Sequence, residues 1–218
     1  MNLIHDKIKG SILISQHTQR NWDLTKEIPQ KDLDLIITAA TQCPSKQNIA
    51  YYKIHAITDR NIIELIHDQT DGFTVKYDPY QSVTNSQVLA NLLIVIEEVE
   101  VDTSTGYDAY RNDQALSLSD GSIDDIALSQ LERDKNMAIG IATGYINLTA
   151  SLLGYSTGYC ACFDPMGVKN ILDLEKSPIL LMGIGFRDSD LDRRVHHKDH
   201  TYMFPVKSKQ EIQVTYWK

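Results

Sequence analysis

Residues 137–153 read Met-Ala-Ile-Gly-Ile-Ala-Thr-Gly-Tyr-Ile-Asn-Leu-Thr-Ala-Ser-Leu-Leu, a helical stretch that is apolar almost all round. A helix without a broad polar face is not a surface helix, so this segment is expected to be the buried axis of the fold or of an oligomer. Gly140 and Gly144 sit one turn apart on it. That spacing favours a close helix–helix approach, and a helix related by a twofold axis is a reasonable partner.

The rest of the chain supplies layers to pack against this axis. Leu92-Leu93-Ile94-Val95-Ile96 is a continuous apolar run of strand length, expected at the centre of a sheet. Tyr52-Lys53-Ile54-His55-Ala56-Ile57 and residues 157–160 and 179–184 read as further strands. Helices are expected over residues 3–14, 60–67 and 165–174. Another carries Leu33, Ile36, Ile37 and Ala40 at helical spacing, with Pro29 in its first turn and Pro44 ending it. The order is α+β: a central mixed or antiparallel sheet flanked by helices, in one domain over residues 1–218. The stretch around Asp78-Pro79 reads as irregular. Residues 102–125 turn to Ser, Asp, Gly, Tyr and Asn without periodicity, as in an excursion or lid. There Tyr107 and Tyr110 either line a cleft or lie on the surface, and Asp120, Asp124 and Asp125 are expected to be solvated. The tail 201–218 ends in the alternating Ile212-Gln213-Val214-Thr215-Tyr216, read as an edge strand able to pair with a neighbouring subunit.

Composition excludes several classes of partner. A net charge of -8 with no long basic tract argues against a nucleic-acid partner. No apolar run has the length of a membrane span, and the first residues lack the basic-then-apolar order of a signal peptide. Three cysteines cannot form a fully paired disulfide framework. Together these point to a cytoplasmic protein without a membrane partner.

Chemistry is expected at four polar segments, each abutting an apolar element: residues 16–20, Pro44-Ser45-Lys46-Gln47-Asn48, Thr84-Asn85-Ser86-Gln87, and Arg193-Arg194 with the histidines that follow. Proline at position 44 stops the helix and frees the next side chains and N–H groups to present themselves, as an ordinary helix-ending loop or as a binding loop. Cys160-x-Cys162 has the spacing of a soft-metal half-site but lacks the remaining ligands, so small core cysteines are the favoured reading and no metal is expected. His196 and His200 would share a face if helical. A solvated segment or a cation patch beside a phosphate is preferred there to a metal site. Gly183-x-Gly185 lacks the third glycine of a dinucleotide fingerprint and reads as a strand end.

Taken in order, these segments resemble the nitroreductase family of FMN-dependent oxidoreductases across most of the chain. Gln16-His17-Thr18 resembles the family's basic-x-Ser corner, residues 44–48 its Pro-Ser-x-x-Asn loop, and Asn85-Ser86-Gln87 its Asn-x-Gln segment. The run from Asn136 to Leu153-Gly154-Tyr155 is similar to its long central helix, and Gly158-Tyr159-Cys160-Ala161-Cys162-Phe163 to the segment lying against the flavin. Gln16 departs from the pattern, standing where the family usually has arginine.

The resemblance implies a nitroreductase-like fold with the long central helix at a homodimer interface and sites shared between subunits. It implies FMN as cofactor, NADH or NADPH as hydride donor, and a nitroaromatic, quinone or similar small molecule as acceptor in a ping-pong scheme. Gln16, His17, Thr18, Arg193 and Arg194 are then expected at the FMN phosphate, where guanidinium groups match the oxygens. Arg20 and Gln87, with Asn85 beside them, are expected at the pyrimidine edge. Pro44, Ser45, Lys46 and Asn48 would reach the partner subunit's cofactor. Backbone N–H groups near Ala161 and Cys162, packed with Tyr159 and Cys160, would face flavin N5, with no catalytic side chain required. Alternatives are a specialised relative that dehalogenates, dehydrogenates or modifies flavin, and a flavin-binding protein without turnover.

Overall fold

The computed structural model describes residues 3–70, 73–75, 78–100 and 125–217. The excursion expected at 102–125 therefore lies outside the described residues, apart from its last position.

Four strands form one antiparallel sheet: β1 (Tyr52–Ile57), β4 (Leu92–Glu98), β6 (Pro178–Gly185) and β5 (Ser156–Cys160), in the spatial order β1-β4-β6-β5. Ile54 lies opposite Ile96, Ile94 opposite Met182, and Gly158 opposite Gly183. The stretch that reads as irregular in sequence holds a two-stranded hairpin, β2 (Phe73–Val75) with β3 (Asp78–Val83). Proline at position 79 is compatible with a strand here because a two-stranded ribbon consists only of edges.

Alternation along β4 explains why its sequence is apolar without interruption. Leu93 and Val95 face one core with Trp22, Ile63, Ile66 and Val168, under α3 (Arg60–His67) and α5 (Pro165–Leu172). Leu92, Ile94 and Ile96 face a second core with Ile36, Ala40, Ile139, Ile146 and Ala150, under α2 (Gln30–Thr41) and α4 (Asp125–Leu152). A strand covered on both faces has no polar side to show. The remaining helix, α1 (Leu3–Ser15), packs on α4, and Ser11 and Ser151 exchange side-chain hydrogen bonds with each other's carbonyls at 3.4 and 2.9 Å.

Three expectations need correction. Helix α4 is longer than the apolar run and is not buried all round: Ala138, Ala142 and Ile146 face the sheet, while Met137, Ile141 and Tyr145 are exposed. A Cβ built on Gly140 or Gly144 meets nothing within 4 Å in this chain. Residues 212–216 form no strand within the single chain, where Ile212, Val214 and Tyr216 are exposed. Pro29 precedes α2 as its N-cap residue, and the helix ends at Thr41, before Pro44.

Among the described residues no helix is long and apolar enough to cross a membrane.

Candidate binding cleft

Two glycines on paired strands create the site. Gly158 of β5 and Gly183 of β6 lie opposite each other, and the 3-10 turn Ser86–Val88 sits directly on them. A Cβ on Gly183 would fall 2.0 Å from the Gln87 carbonyl oxygen, and one on Gly158 would fall 2.5 Å from the Gln87 Cβ. Only bare backbone admits that approach. The segment after α1 then runs beside β5 through Gln19 N–H donating to the Thr157 carbonyl at 2.8 Å. Arg20 N–H in turn donates to the Arg193 carbonyl at 2.9 Å.

The result is a cleft of about 490 Å³ that gathers every sequence-predicted site residue outside the 44–48 loop. Gln16, His17, Thr18, Arg193 and Arg194 line it together with Arg20, Asn85, Gln87 and residues 159–162. Phe204, Pro205 and Lys207 also line it. Sequence reasoning missed these three, because they fall in a tail whose only legible signal was the alternation further on.

Arg20 is the best-defined group. Its guanidinium lies 3.9 Å from the centroid of the Phe204 ring, and Nη1 donates to Gln87 Oε1. Gln87 Nε2 in turn donates to Asn85 Oδ1 at 3.2 Å and to the Tyr159 carbonyl at 3.0 Å. The Gln87 amide is thus committed to holding Arg20, which alters the expectation that both side chains address a ligand directly. No carboxylate among the described residues pairs with Arg20, and burial pulls its pKa down to about 10. A partly buried cation whose hydrogen-bond and ring partners among the described residues are neutral is suited to an anionic or electron-rich group in the cleft.

Several neighbours are arranged differently from the expectation. Gln16 Nε2 donates back to the Leu13 carbonyl at 2.8 Å, closing the end of α1. Arg194 is held by Asp192, with Nε and Nη2 at 2.9 and 3.0 Å from the two carboxylate oxygens, so an incoming anion has to compete for its fork. Arg193 Nη1 donates to the Thr18 carbonyl at 3.2 Å. Tyr159 contributes backbone only: its hydroxyl donates to the Thr143 carbonyl at 2.8 Å, and burial pushes its pKa up to about 12. Cys160 is a core residue as expected, whereas Cys162 is exposed in the cleft, one strand position being lost as the chain leaves β5.

The 44–48 loop lies elsewhere in the chain. Ser45 and Asn48 line a separate cavity of about 880 Å³ beside β1. Lys46 is not idle, since it pairs with Asp134, a buried carboxylate on α4. Gln47 and Asn48 both adopt left-handed backbone, at φ 55° and 58°. Such a geometry is unusual for two successive residues with side chains and fits a loop shaped for contact.

The histidine segment is not helical, and it is solvated only in part: Lys198 and His200 are exposed. His196 is buried, and its Nδ1 accepts the backbone N–H groups of Lys198 and Asp199 at 3.2 and 3.0 Å. Its proton therefore sits on Nε2, facing Thr84 Oγ1 at 3.2 Å, and the Thr84 hydroxyl is left to donate to His67 Nε2 at 2.8 Å. No group of three or more metal-ligating side chains occurs among the described residues. Burial, then the adjacent His67, pulls the His196 pKa from 6.5 down to about 4, with Asp199 opposing and His197 reinforcing the shift. The unfolded chain takes up this proton near pH 6.5 and the folded chain only near pH 4. Stability contributed by neutral His196 is therefore present above pH 6.5 and lost as pH falls from 6.5 to 4, by roughly 2–3 kcal/mol. Urea midpoints at pH 7 and pH 4.5 should show a smaller acid loss for His196→Asn, which keeps an acceptor near the Nδ1 position. Equal losses would assign the acid sensitivity to other groups.

Comparison with known proteins places the chain in a family and a fold. The sequence profile of the nitroreductase family matches residues 13–186. A candidate NAD(P)H:FMN oxidoreductase of Staphylococcus epidermidis superimposes with a TM-score of 0.58 at 16% identity, over 88% of this chain and 90% of that one. A nitroreductase family protein of Streptococcus pneumoniae gives 0.55 at 18%, over 91% and 98%. The NfrA1 nitroreductase of Bacillus subtilis gives 0.59 at 13%, over 84% and 67%. At these identities the structures establish a shared fold. No curated protein matches the chain in sequence.

Proposed function

The chain belongs to the nitroreductase family, and from that premise we propose that it is an FMN-dependent oxidoreductase using NADH or NADPH to reduce a small acceptor such as a nitroaromatic or quinone. The observation that carries this reading is the cleft that brings His17, Thr18, Arg193 and Arg194 together with the partly buried Arg20.

The donor set suits FMN. His17, Thr18, Arg193 and Lys207 offer donors for a phosphate dianion, with Arg194 available once it leaves Asp192. When bound, FMN supplies hydride acceptance and onward delivery, which in a ping-pong order lets donor and acceptor use one cleft in turn. The chain's own part is to bind and orient. Arg20, fixed by Gln87, would stabilise negative charge at the pyrimidine edge. The exposed backbone at Ala161 and Cys162 would offer donors toward the flavin centre. Tyr159 closes the wall from behind through Thr143. No side chain has to move a proton for the hydride to pass.

A homodimer is part of the proposal. Leu3, Ile4, Ile8 and Ile12 of α1 and Met137, Ile141 and Tyr145 of α4 are exposed apolar side chains, and Gly140 and Gly144 leave α4 open to close approach. Exposed Ile212, Val214, Tyr216 and Trp217 give the tail an apolar surface to place on a second copy. In such a dimer the 44–48 loop would serve the partner's cofactor. A cytoplasmic location, suggested by three free thiols, belongs to the same reading.

The test is to reconstitute the purified protein with FMN, remove excess, and add NADH or NADPH anaerobically. Retention of about one flavin per chain and bleaching of its absorbance are expected, with light scattering giving twice the chain mass. A protein that retains no FMN would sink the proposal. Flavin held but reduced by neither nucleotide would instead favour a binding protein without turnover, which the turned-away Gln16 amide makes the leading alternative.

A further inference from the structure

Phe204 belongs to none of the motifs discussed above, yet it is the residue on which Arg20 rests. It lies eighteen positions beyond Phe186, where the family match ends, and is nevertheless buried. Three contacts fix it. Its N–H donates to the Arg194 carbonyl at 2.9 Å, its ring stacks on His196 at 6.0 Å and 19°, and Tyr202 meets it edge-on at 5.1 Å and 81°. His196 is itself tied to Thr84 and to the turn at residues 198–199. The ring is therefore part of a rigid wall, and its face is presented to the Arg20 guanidinium at 3.9 Å.

Arg20 is gripped from two sides, by the Gln87 amide oxygen in the plane of its donors and by the Phe204 ring against its face. A flexible four-carbon side chain that must meet a planar ligand edge loses rotamer freedom on binding, and a preset guanidinium avoids that loss. The aromatic face is also one of the few apolar surfaces on which a dehydrated cation is favourable.

We propose that Phe204 is a positioning residue for flavin binding, using its ring face to hold the Arg20 guanidinium in the orientation that meets the cofactor's pyrimidine edge. This rests on the FMN reading above and extends it to a residue outside the family match.

The test is a double-mutant cycle on the affinity of the apoprotein for FMN, read by quenching of flavin fluorescence. Phe204→Leu keeps apolar bulk and removes the π face; it should weaken binding by about 3- to 30-fold. Phe204→Tyr keeps the face and should stay within about twofold of wild type. In an Arg20→Gln background Phe204→Leu should add less than about a twofold loss, because the cation it positions is gone. Phe204→Met serves as the second ring-less variant should the leucine protein fail to fold by far-UV circular dichroism. An equal loss in both backgrounds, or a Phe204→Tyr protein as weak as Phe204→Leu, would overturn the proposal and leave Phe204 as wall packing. Wild type that binds no FMN would overturn the parent reading, and this inference with it.

Discussion

Replacing Gly183 with alanine is expected to cost the fold about 3 kcal/mol, since overpacking against backbone cannot be relieved by a rotamer change. The added methyl would sit 2.0 Å from the Gln87 carbonyl oxygen, 3.1 Å from its carbonyl carbon and 3.0 Å from the Ala90 Cβ. Either the turn at Ser86–Val88 lifts from the sheet or β6 bends away from it. For a chain of this size the loss should appear as a fall of roughly 6–12 °C in Tm. Because Gln87 and through it Arg20 ride on that turn, FMN affinity should fall together with stability. The control is Gly10→Ala on α1, where a Cβ meets nothing within 4 Å and helix propensity favours alanine by up to about 1 kcal/mol. A Gly183→Ala protein with wild-type Tm would show that the turn is free to move.

Arg20→Ala carries the second large effect, on the ligand. The substitution removes the partly buried Arg20 cation and takes from Gln87 Oε1 its donor. A hydrogen bond from a charged donor contributes about 1.5–3 kcal/mol, so FMN should bind roughly 10- to 100-fold more weakly. The loss should be greater for reduced than for oxidised FMN, because the anionic ring gains most from a cation, and the midpoint potential of bound flavin should become more negative. Stability should change little or rise, since a cation with no carboxylate partner among the described residues is costly to bury. Equal weakening of both redox states would place Arg20 away from the ring, at the phosphate or on the wall.

Most of the layer structure was legible before any coordinates. The run at residues 92–96 announced a central strand, because apolar patterning is a local property of the chain, whereas the meeting of the polar segments at 16–20, 84–87 and 193–194 in one site was implied only by the family resemblance. The 44–48 loop was legible as a polar segment after a helix, while the pairing of its Lys46 with Asp134 was decided by the fold. What failed was equally physical. Residues 137, 141 and 145 read as the buried axis of the fold or of an oligomer, and within one chain they are exposed, because periodicity registers hydrophobicity and not the partner that covers it. His196 read as part of a solvated segment or cation patch because the donors that hold its Nδ1, the N–H groups at 198 and 199, come from a turn with no sequence signature.

The sequence by itself determined the α+β order, the antiparallel-capable strands and the chemistry of the cleft-forming segments, since each follows from residues within a few positions of one another. Only the tertiary structure decided how those residues act. It turned Gln16 back onto α1, gave Arg194 to Asp192, made Gln87 the holder of Arg20, and brought Phe204 from the tail to the face of that guanidinium. Each of those outcomes depends on competition among side chains far apart in the chain, where a hydrogen bond goes to the acceptor within reach, and reach is set by the fold.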